Sequence, residues 1–322
     1  MENGIEMDRE RHGRNTRKAH KAKRKTLCQL GKTFQWCKRS DKMLGALQDA
    51  ALRHAEYQHY LKCEHLEKMI LGDKMLLRRG SSSALDDWRE SEKYGDPKLW
   101  DRTYLACFCH EREENAAFWW MYGQGHQEAL RVTFPLPVLR LWVKKLKLLT
   151  SVDPFISDEN ERKLVPGSHV VVGKPFVTDI GYVSIHSAKG KRQKNGDENG
   201  TGVRAVSWDG LCRHFADLDT CIKTKEATGR FKDYEWRFER ETRLLVEIGD
   251  SGFYPDQIVV SLDWTELSKA GRFTITAGPW MPQRRFDEMK IRFEALFRAK
   301  GLSDKGYSIE RSSLLGALNF RN

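Results

Sequence analysis

Two carboxylates one residue apart, closed by an arginine and running into an apolar stretch, limit the fold of this chain more than any other feature: Glu239-Arg-Glu241-Thr-Arg243-Leu-Leu-Val-Glu-Ile248. Read as a strand, side chains alternate between faces. Glu239, Glu241 and Arg243 then share one face, and Phe238, Leu244, Val246 and Ile248 the other. A face with two acids and a base is costly to bury unless the charges pair. The segment is therefore either a solvated strand with a local ion pair or the floor of a polar cleft.

A second segment bears on that choice. Tyr104-Leu-Ala-Cys-Phe-Cys109-His110, a polar turn, Ala-Ala-Phe-Trp119-Trp120-Met-Tyr122-Gly123 and Gly125-His126-Gln-Glu-Ala-Leu-Arg-Val-Thr-Phe134 read as strand, aromatic helix, glycine loop and strand. Phe118, Trp119, Trp120 and Tyr122 exceed the aromatic surface that one helical turn needs. Some of the rings plug a core; others, with His126 beyond the glycines, can form a stacking wall for a planar ligand.

Charge is unevenly spread. Residues 1–40 hold twelve Lys/Arg against four Asp/Glu, a net +8 of the chain's +11. The run at 9–25 has too few apolar residues to fold alone, and reads as either a solubilising tail or an arm attracted to nucleic acid or an acidic partner. With 39% hydrophobic and 31% charged residues, the rest has the composition of a globular protein. No apolar run approaches a membrane span, and the basic N-terminal stretch is not followed by the apolar segment of a signal peptide, so a cytoplasmic protein is expected. Seven cysteines without a C-x-x-C pair suggest reduced thiols. Cys107, Cys109 and His110, with Cys63 and His65, lack the tight spacing of structural zinc ligands, and no metal is expected.

Element signals predict an α+β fold with a mixed, mainly antiparallel sheet, packed helices and a basic helical N-terminal extension. The expected division is an arm plus helix at 1–56 and one domain at 57–322, with a mobile loop at 187–204. Helices are expected from Asp41 to about Tyr57, Cys63 to Leu71, along Pro137–Leu149, Asp209 to Lys225 and Arg285 to Lys300. Strands are expected at Lys74–Arg79, at His169–Val172 paired with Ile180–Ile185, at the acidic segment, at Gln257–Leu262, from Phe273 and from Tyr307. No P-loop, dinucleotide fingerprint, nucleophile elbow or zinc helix is present.

The order of these pieces resembles the bacterial domain-of-unknown-function family numbered 2971. The resemblance covers about residues 57–315 and is carried by Tyr104-Leu-Ala-Cys-Phe-Cys, Trp119-Trp-Met-Tyr122-Gly, His126-Gln-Glu-Ala-Leu-Arg-Val-Thr-Phe, Ile180-Gly-Tyr-Val, Tyr234-Glu-Trp-Arg-Phe-Glu239-Arg-Glu241-Thr-Arg243 and Thr274-Ile-Thr-Ala-Gly278-Pro279. The chain departs from that pattern at Ser83-Ala-Leu-Asp86-Asp87 and at Cys109, where the family carries Asn-Asp-Pro and serine. Members occur in defence-like settings, which implies an effector in bacterial antiviral defence. The layout is also similar, by fold-level analogy, to ADP-ribosyltransferases.

Three functions follow as expectations. The first is an enzyme using NAD or a related nucleotide, with Glu241 catalytic, Glu239 assisting, Trp119 or Tyr122 stacking the nicotinamide, Arg79 or Lys62 holding pyrophosphate, His126 beside the ligand and Arg243 orienting Glu241. The second is a nucleic-acid-binding effector that uses the 9–25 arm and aromatic stacking. The third is a metal-dependent nuclease built on Asp86, Asp87, Glu239 and Glu241.

Overall fold

The computed structural model of the chain describes residues 41–82, 89–111, 113–122, 127–152, 164–166, 171–186, 203–208, 211–214, 218–250, 252 and 254–316. The arm at 9–25, Asp86, Asp87, His126 and the loop up to residue 202 lie outside the described residues.

The elements, in order, are α1 (Asp41–Ala51), β1 (Glu56–Lys62), α2 (Cys63–Gly72), β2 (Lys74–Arg79), α3 (Glu90–Lys93), α4 (Pro97–Trp100), β3 (Thr103–Cys109), α5 (Ala116–Met121), β4 (Ala129–Pro135), α6 (Leu136–Lys145), β5 (Leu148–Val152) and β6 (Leu164–Pro166). They continue with β7 (Val171–Asp179), β8 (Gly181–His186), β9 (Val203–Trp208), β10 (Leu211–His214), α7 (Leu218–Cys221), β11 (Phe231–Asp233), β12 (Glu241–Ile248), β13 (Gln257–Ser261), α8 (Trp264–Ser268), β14 (Phe273–Ala277), α9 (Gln283–Ala299) and β15 (Tyr307–Arg311). The fold is α+β. Among the described residues, its mixed, mostly antiparallel main sheet has eleven strands, and β8 to β11 form a second sheet of four.

The main sheet branches at β3. One edge of β3 pairs along its length with β12; the other pairs with β1 near its end and with β2 near its start. One branch runs β1–β4–β14–β15 and the other β2–β13–β5–β6. One face of this sheet is the core. Tyr57, Phe108, Val132, Phe134, Leu244, Val246 and Ile275 pack there against Trp142 of α6, Trp264 of α8 and Phe293 and Phe297 of α9. In α9 the buried residues Phe286, Met289, Phe293 and Phe297 recur at helical spacing, which explains why the segment is a helix and which side it buries.

The other face is polar across five strand pairings. Arg243 lies opposite Cys107, Glu241 opposite Cys109, and Cys109 opposite Gln58. Tyr60 lies opposite Arg131, which lies opposite Thr276, itself opposite Glu310. Residues directly opposite share a face, so alternation along each strand sorts apolar residues to one side and these to the other.

Helix α1 joins a separate apolar cluster, in which Met43, Leu47 and Ala50 meet Tyr94, Val206, Trp208, Leu218 and Phe231 around the small sheet. A turn at Gly95 ties α3 to this cluster. Gly95 has φ +75°, and a Cβ there would stand 2.5 Å from Thr228 Cα. Its N–H donates to the Ile222 carbonyl at 2.6 Å. Gly95→Ala therefore combines left-handed strain with a backbone clash, and should lower stability by about 2–4 kcal/mol in urea denaturation.

Four expectations give way. Helix α1 ends at Ala51 and β1 begins at Glu56, so the helix does not reach Tyr57. Asp209–Lys225 is not one helix: β10 pairs antiparallel with β9, and α7 and a 3₁₀ turn at Lys225–Ala227 follow. The helical spacing of Leu211, Leu218 and Ile222 lost to an available strand edge, an ambiguity inherent in short apolar runs. β7 and β8 do not pair with each other, because β7 lies on β12 and β8 on β9 and β11. Finally, Tyr234–Glu239 is a 3₁₀ helix, and the acidic strand starts only at Glu241.

Candidate active site

Glu239 and Glu241 converge although only one of them is in a strand. The 3₁₀ helix ends at Glu239, and Arg240 takes a left-handed backbone, φ 42°, that swings the chain into β12. The His110 N–H donates to the Arg240 carbonyl at 3.2 Å and helps hold this turn. A bulky residue in that region is strained, and such strain persists where the surroundings over-determine it. The result is that both carboxylates meet one ammonium, Lys232 of β11, whose Nζ lies 2.7 Å from Glu239 Oε2 and 3.0 Å from Glu241 Oε2.

Arg243 completes the cluster with all of its guanidinium nitrogens engaged. It donates from Nη1 and Nη2 to the two oxygens of Glu90, at 2.7 and 3.0 Å. It donates from Nε and Nη2 to Glu241, at 2.6 and 3.2 Å. The backbone N–H of Glu241 donates to the Tyr182 hydroxyl at 2.8 Å. Burial opposes the charge on Glu241, yet Arg243 and Lys232 outweigh it and hold this carboxyl well below the usual carboxylate range.

Glu239 differs. It has no guanidinium, only Lys232, which it shares with Glu241, and a hydrogen bond donated by the Tyr122 hydroxyl. Burial and the charge of Glu241 push its pKa up to about 7. Three acids, Glu90, Glu239 and Glu241, face two bases, so the buried cluster is one proton short of neutrality. Burial raises Glu90 as well, but Glu90 keeps a bidentate guanidinium, so the extra proton settles on Glu239.

Aromatic rings surround Glu239. Phe118 stacks on Tyr60 on one side and on Tyr122 on the other, with centroids 5.6 and 5.7 Å apart. Lys232 Nζ lies 5.0 Å from the Trp236 ring centroid. Glu239 is itself buried, so a ligand would reach it past Tyr122 and Trp236, which are half-buried, and past Phe238, which is exposed.

Of the residues singled out from sequence, the structure brings together Glu239, Glu241, Arg243 and Tyr122. Trp119 is fully buried, with its Nε1 donating to Glu114 at 3.0 Å and its ring against the edge of Tyr60, so it packs instead of lining an opening. Arg79 sits on the other sheet branch, donating to the Tyr254 carbonyl and to Asp256 at 2.9 and 2.7 Å. Lys62 ends β1 opposite Ala129, on the polar face one pleat beyond Tyr60. Lys232 and Glu90 are not legible from the sequence, since their segments carry no pattern that distinguishes them from surface residues; Tyr182 lies in an expected strand with nothing to mark it as a site residue. Arg131 and Tyr60 carried a usable signal, the alternation of their strands.

Among the described residues, one group could offer metal ligands. Ligand atoms of His54, His110 and Asp179 lie within 4.8 Å of one another, beside Thr242 on the core side of β12. The imidazoles stack with centroids 3.7 Å apart and planes 3° from parallel. Lone pairs of two parallel rings lie in separate planes and do not meet at one ion. The groups hydrogen-bond instead: His54 Nε2 is 2.7 Å from Asp179, and His110 Nδ1 is 3.0 Å from Thr242 Oγ1. Burial and the neighbouring His54 lower the His110 pKa to about 3, keeping it neutral. Cys107 and Cys109 are reduced thiols whose pKa burial pushes up.

No family model and no curated protein matches the chain. Among solved structures, the chain is similar to DarT from Thermus sp. 2.9 in complex with carba-NAD+, at 10% identity and TM-score 0.31 over 82% of this chain and 98% of that one. It is likewise similar to the same protein in complex with ADP-ribosylated ssDNA, at 11% identity and TM-score 0.33 over 81% and 96%. A likeness of this size carries no functional argument. Among the described residues, no helix is long and apolar enough to cross a membrane.

Proposed function

We propose that this chain is an enzyme that cleaves the nicotinamide–ribose bond of NAD, or the matching bond of a related nucleotide, at Glu239. The observation that carries the reading is a buried carboxyl pushed up to near neutrality by burial and by Glu241, and hydrogen-bonded by Lys232 and Tyr122, beside a polar sheet face edged by aromatic rings. Loss of nicotinamide leaves the bonding electron pair on the departing ring, which becomes neutral, and positive charge on the ribose. An ionised Glu239 stabilises that charge, and an acceptor nucleophile or water then attacks the anomeric carbon and gives up its proton to Glu239. Tyr122 and Lys232 orient the carboxylate, while Glu241 and Arg243 form the rigid support beneath it. These roles invert the order expected from sequence, because Glu241 is committed to two cations. NAD as the particular substrate is taken from the fold-level analogy to ADP-ribosyltransferases, not from the geometry.

A nuclease is less well supported: a metal at Glu239 and Glu241 would have to displace Lys232 and Arg243. Nucleic acid is retained as a partner or target through the 9–25 arm. The test is nicotinamide release from NAD by the full chain, with and without single-stranded DNA or RNA. Release is expected, with its nucleic-acid stimulation falling steeply with salt. No release under any condition, alongside salt-sensitive nucleic-acid binding, would replace the enzyme by a binding protein.

A further inference from the structure

Arg131 is a second unusual charge on the same polar face. It is 7% exposed, and its Nε and Nη1 have no hydrogen-bond partner among the described residues. Nη2 donates to Thr276 Oγ1 at 3.2 Å, and Glu114 Oε1, at 3.7 Å, is beyond hydrogen-bond reach. Glu114 pairs with Arg131 by charge alone and takes its hydrogen bonds elsewhere, from Trp119 Nε1 at 3.0 Å, from the Ser313 N–H at 2.8 Å and from the Ser312 hydroxyl. The Tyr60 hydroxyl lies close enough to feel the guanidinium without meeting hydrogen-bond geometry to it. A buried guanidinium with two idle nitrogens is costly unless an acceptor arrives from outside the fold.

We propose that Arg131 anchors an oxyanion subsite, enclosed by β4, β14, α5 and the turn at Ser312, that takes a phosphate group. Two features define it: guanidinium donors without acceptors, and Lys62 further along the same face. The stacked column Tyr60–Phe118–Tyr122 leads from this site to Glu239, placing anion and carboxyl on one sheet face. Assigning the anion to the diphosphate of the nucleotide rests on the reading of Glu239 given above; the anion site itself does not.

The test is calorimetric titration of the full chain with inorganic pyrophosphate, with ADP and, as carboxylate and uncharged controls, with acetate and adenosine. Wild type is expected to bind pyrophosphate and ADP, and Arg131→Gln to lose at least tenfold in affinity for both. Arg131→Met, which keeps the aliphatic stem and removes the idle donors, is expected to melt no lower than wild type in anion-free buffer. Three results would overturn the subsite: no binding of phosphate compounds by wild type, equal binding by Arg131→Gln, or preference for acetate. An Arg131→Met chain that cannot fold would do the same, by making the guanidinium structural. Pyrophosphate binding without nicotinamide release would leave the subsite standing and remove the NAD reading; release unaffected in Arg131→Gln, with no pyrophosphate bound, would do the reverse.

Discussion

Glu239→Gln is expected to slow nicotinamide release from NAD by a factor on the order of 10²–10³, the usual consequence of deleting one preorganised electrostatic group. The amide fills the same space and can still meet the Tyr122 hydroxyl, so a loss of this size would report charge and not shape. In wild type the rate should rise with pH through about 7, where Glu239 ionises, and the residual rate of the variant should lack that limb. A second readout separates poise from collapse. A carboxyl whose pKa is raised from 4.5 to about 7 binds its proton more tightly folded than unfolded. Its contribution to stability is therefore fully present below about 4.5 and lost as pH climbs through about 7. At ~1.4 kcal/mol per pKa unit the loss is about 3 kcal/mol. Urea denaturation at pH 5 and pH 8 should show wild type losing about that much relative to Glu239→Gln. Parallel pH dependence in the two proteins, with undiminished turnover, would remove Glu239 from the chemistry.

Arg243→Met is expected to be the most destabilising single change in the site. It strips Glu90 and Glu241 of their guanidinium together, leaving three buried carboxylates around Lys232 alone. Breaking a buried pair from one side costs about 3–5 kcal/mol, because the remaining charge keeps its desolvation penalty. Against a typical total stability of about 5–15 kcal/mol, that brings the fold close to failure at physiological temperature. Replacing Glu90 by Leu in the same chain removes one stranded charge and should recover part of the loss. The double-mutant cycle measures the coupling directly. Additive losses in that cycle would mean the Arg243–Glu90 bidentate contact contributes nothing of its own.

Much of the sheet was legible in the chain. Alternation in Tyr104–Cys109, Ala129–Phe134 and Leu244–Ile248 separates apolar from polar positions, since strand geometry has a fixed period of two and only one face can be greasy. The α+β class, the aromatic helix at Ala116–Met121 and the long helix at Gln283–Ala299 follow from equally local rules. The meeting of Glu241 and Arg243 was also readable, being a matter of i and i+2 on one strand.

What sets Glu239 apart from Glu241 was not written locally. It depends on Lys232 arriving from β11 in the second sheet, on Glu90 held across the Gly95 turn, and on Tyr122 reaching over from α5. Two identical side chains acquire opposite titration behaviour because electrostatic energy depends on distances to charges remote in sequence, and on exclusion of water by the whole fold. The sequence by itself determined which sheet faces are polar and most of the strands and helices, though not the elements at 209–225 and 234–239, where short apolar runs fit either state. Only the tertiary structure decided which carboxyl is neutralised by cations and which is left to share a proton.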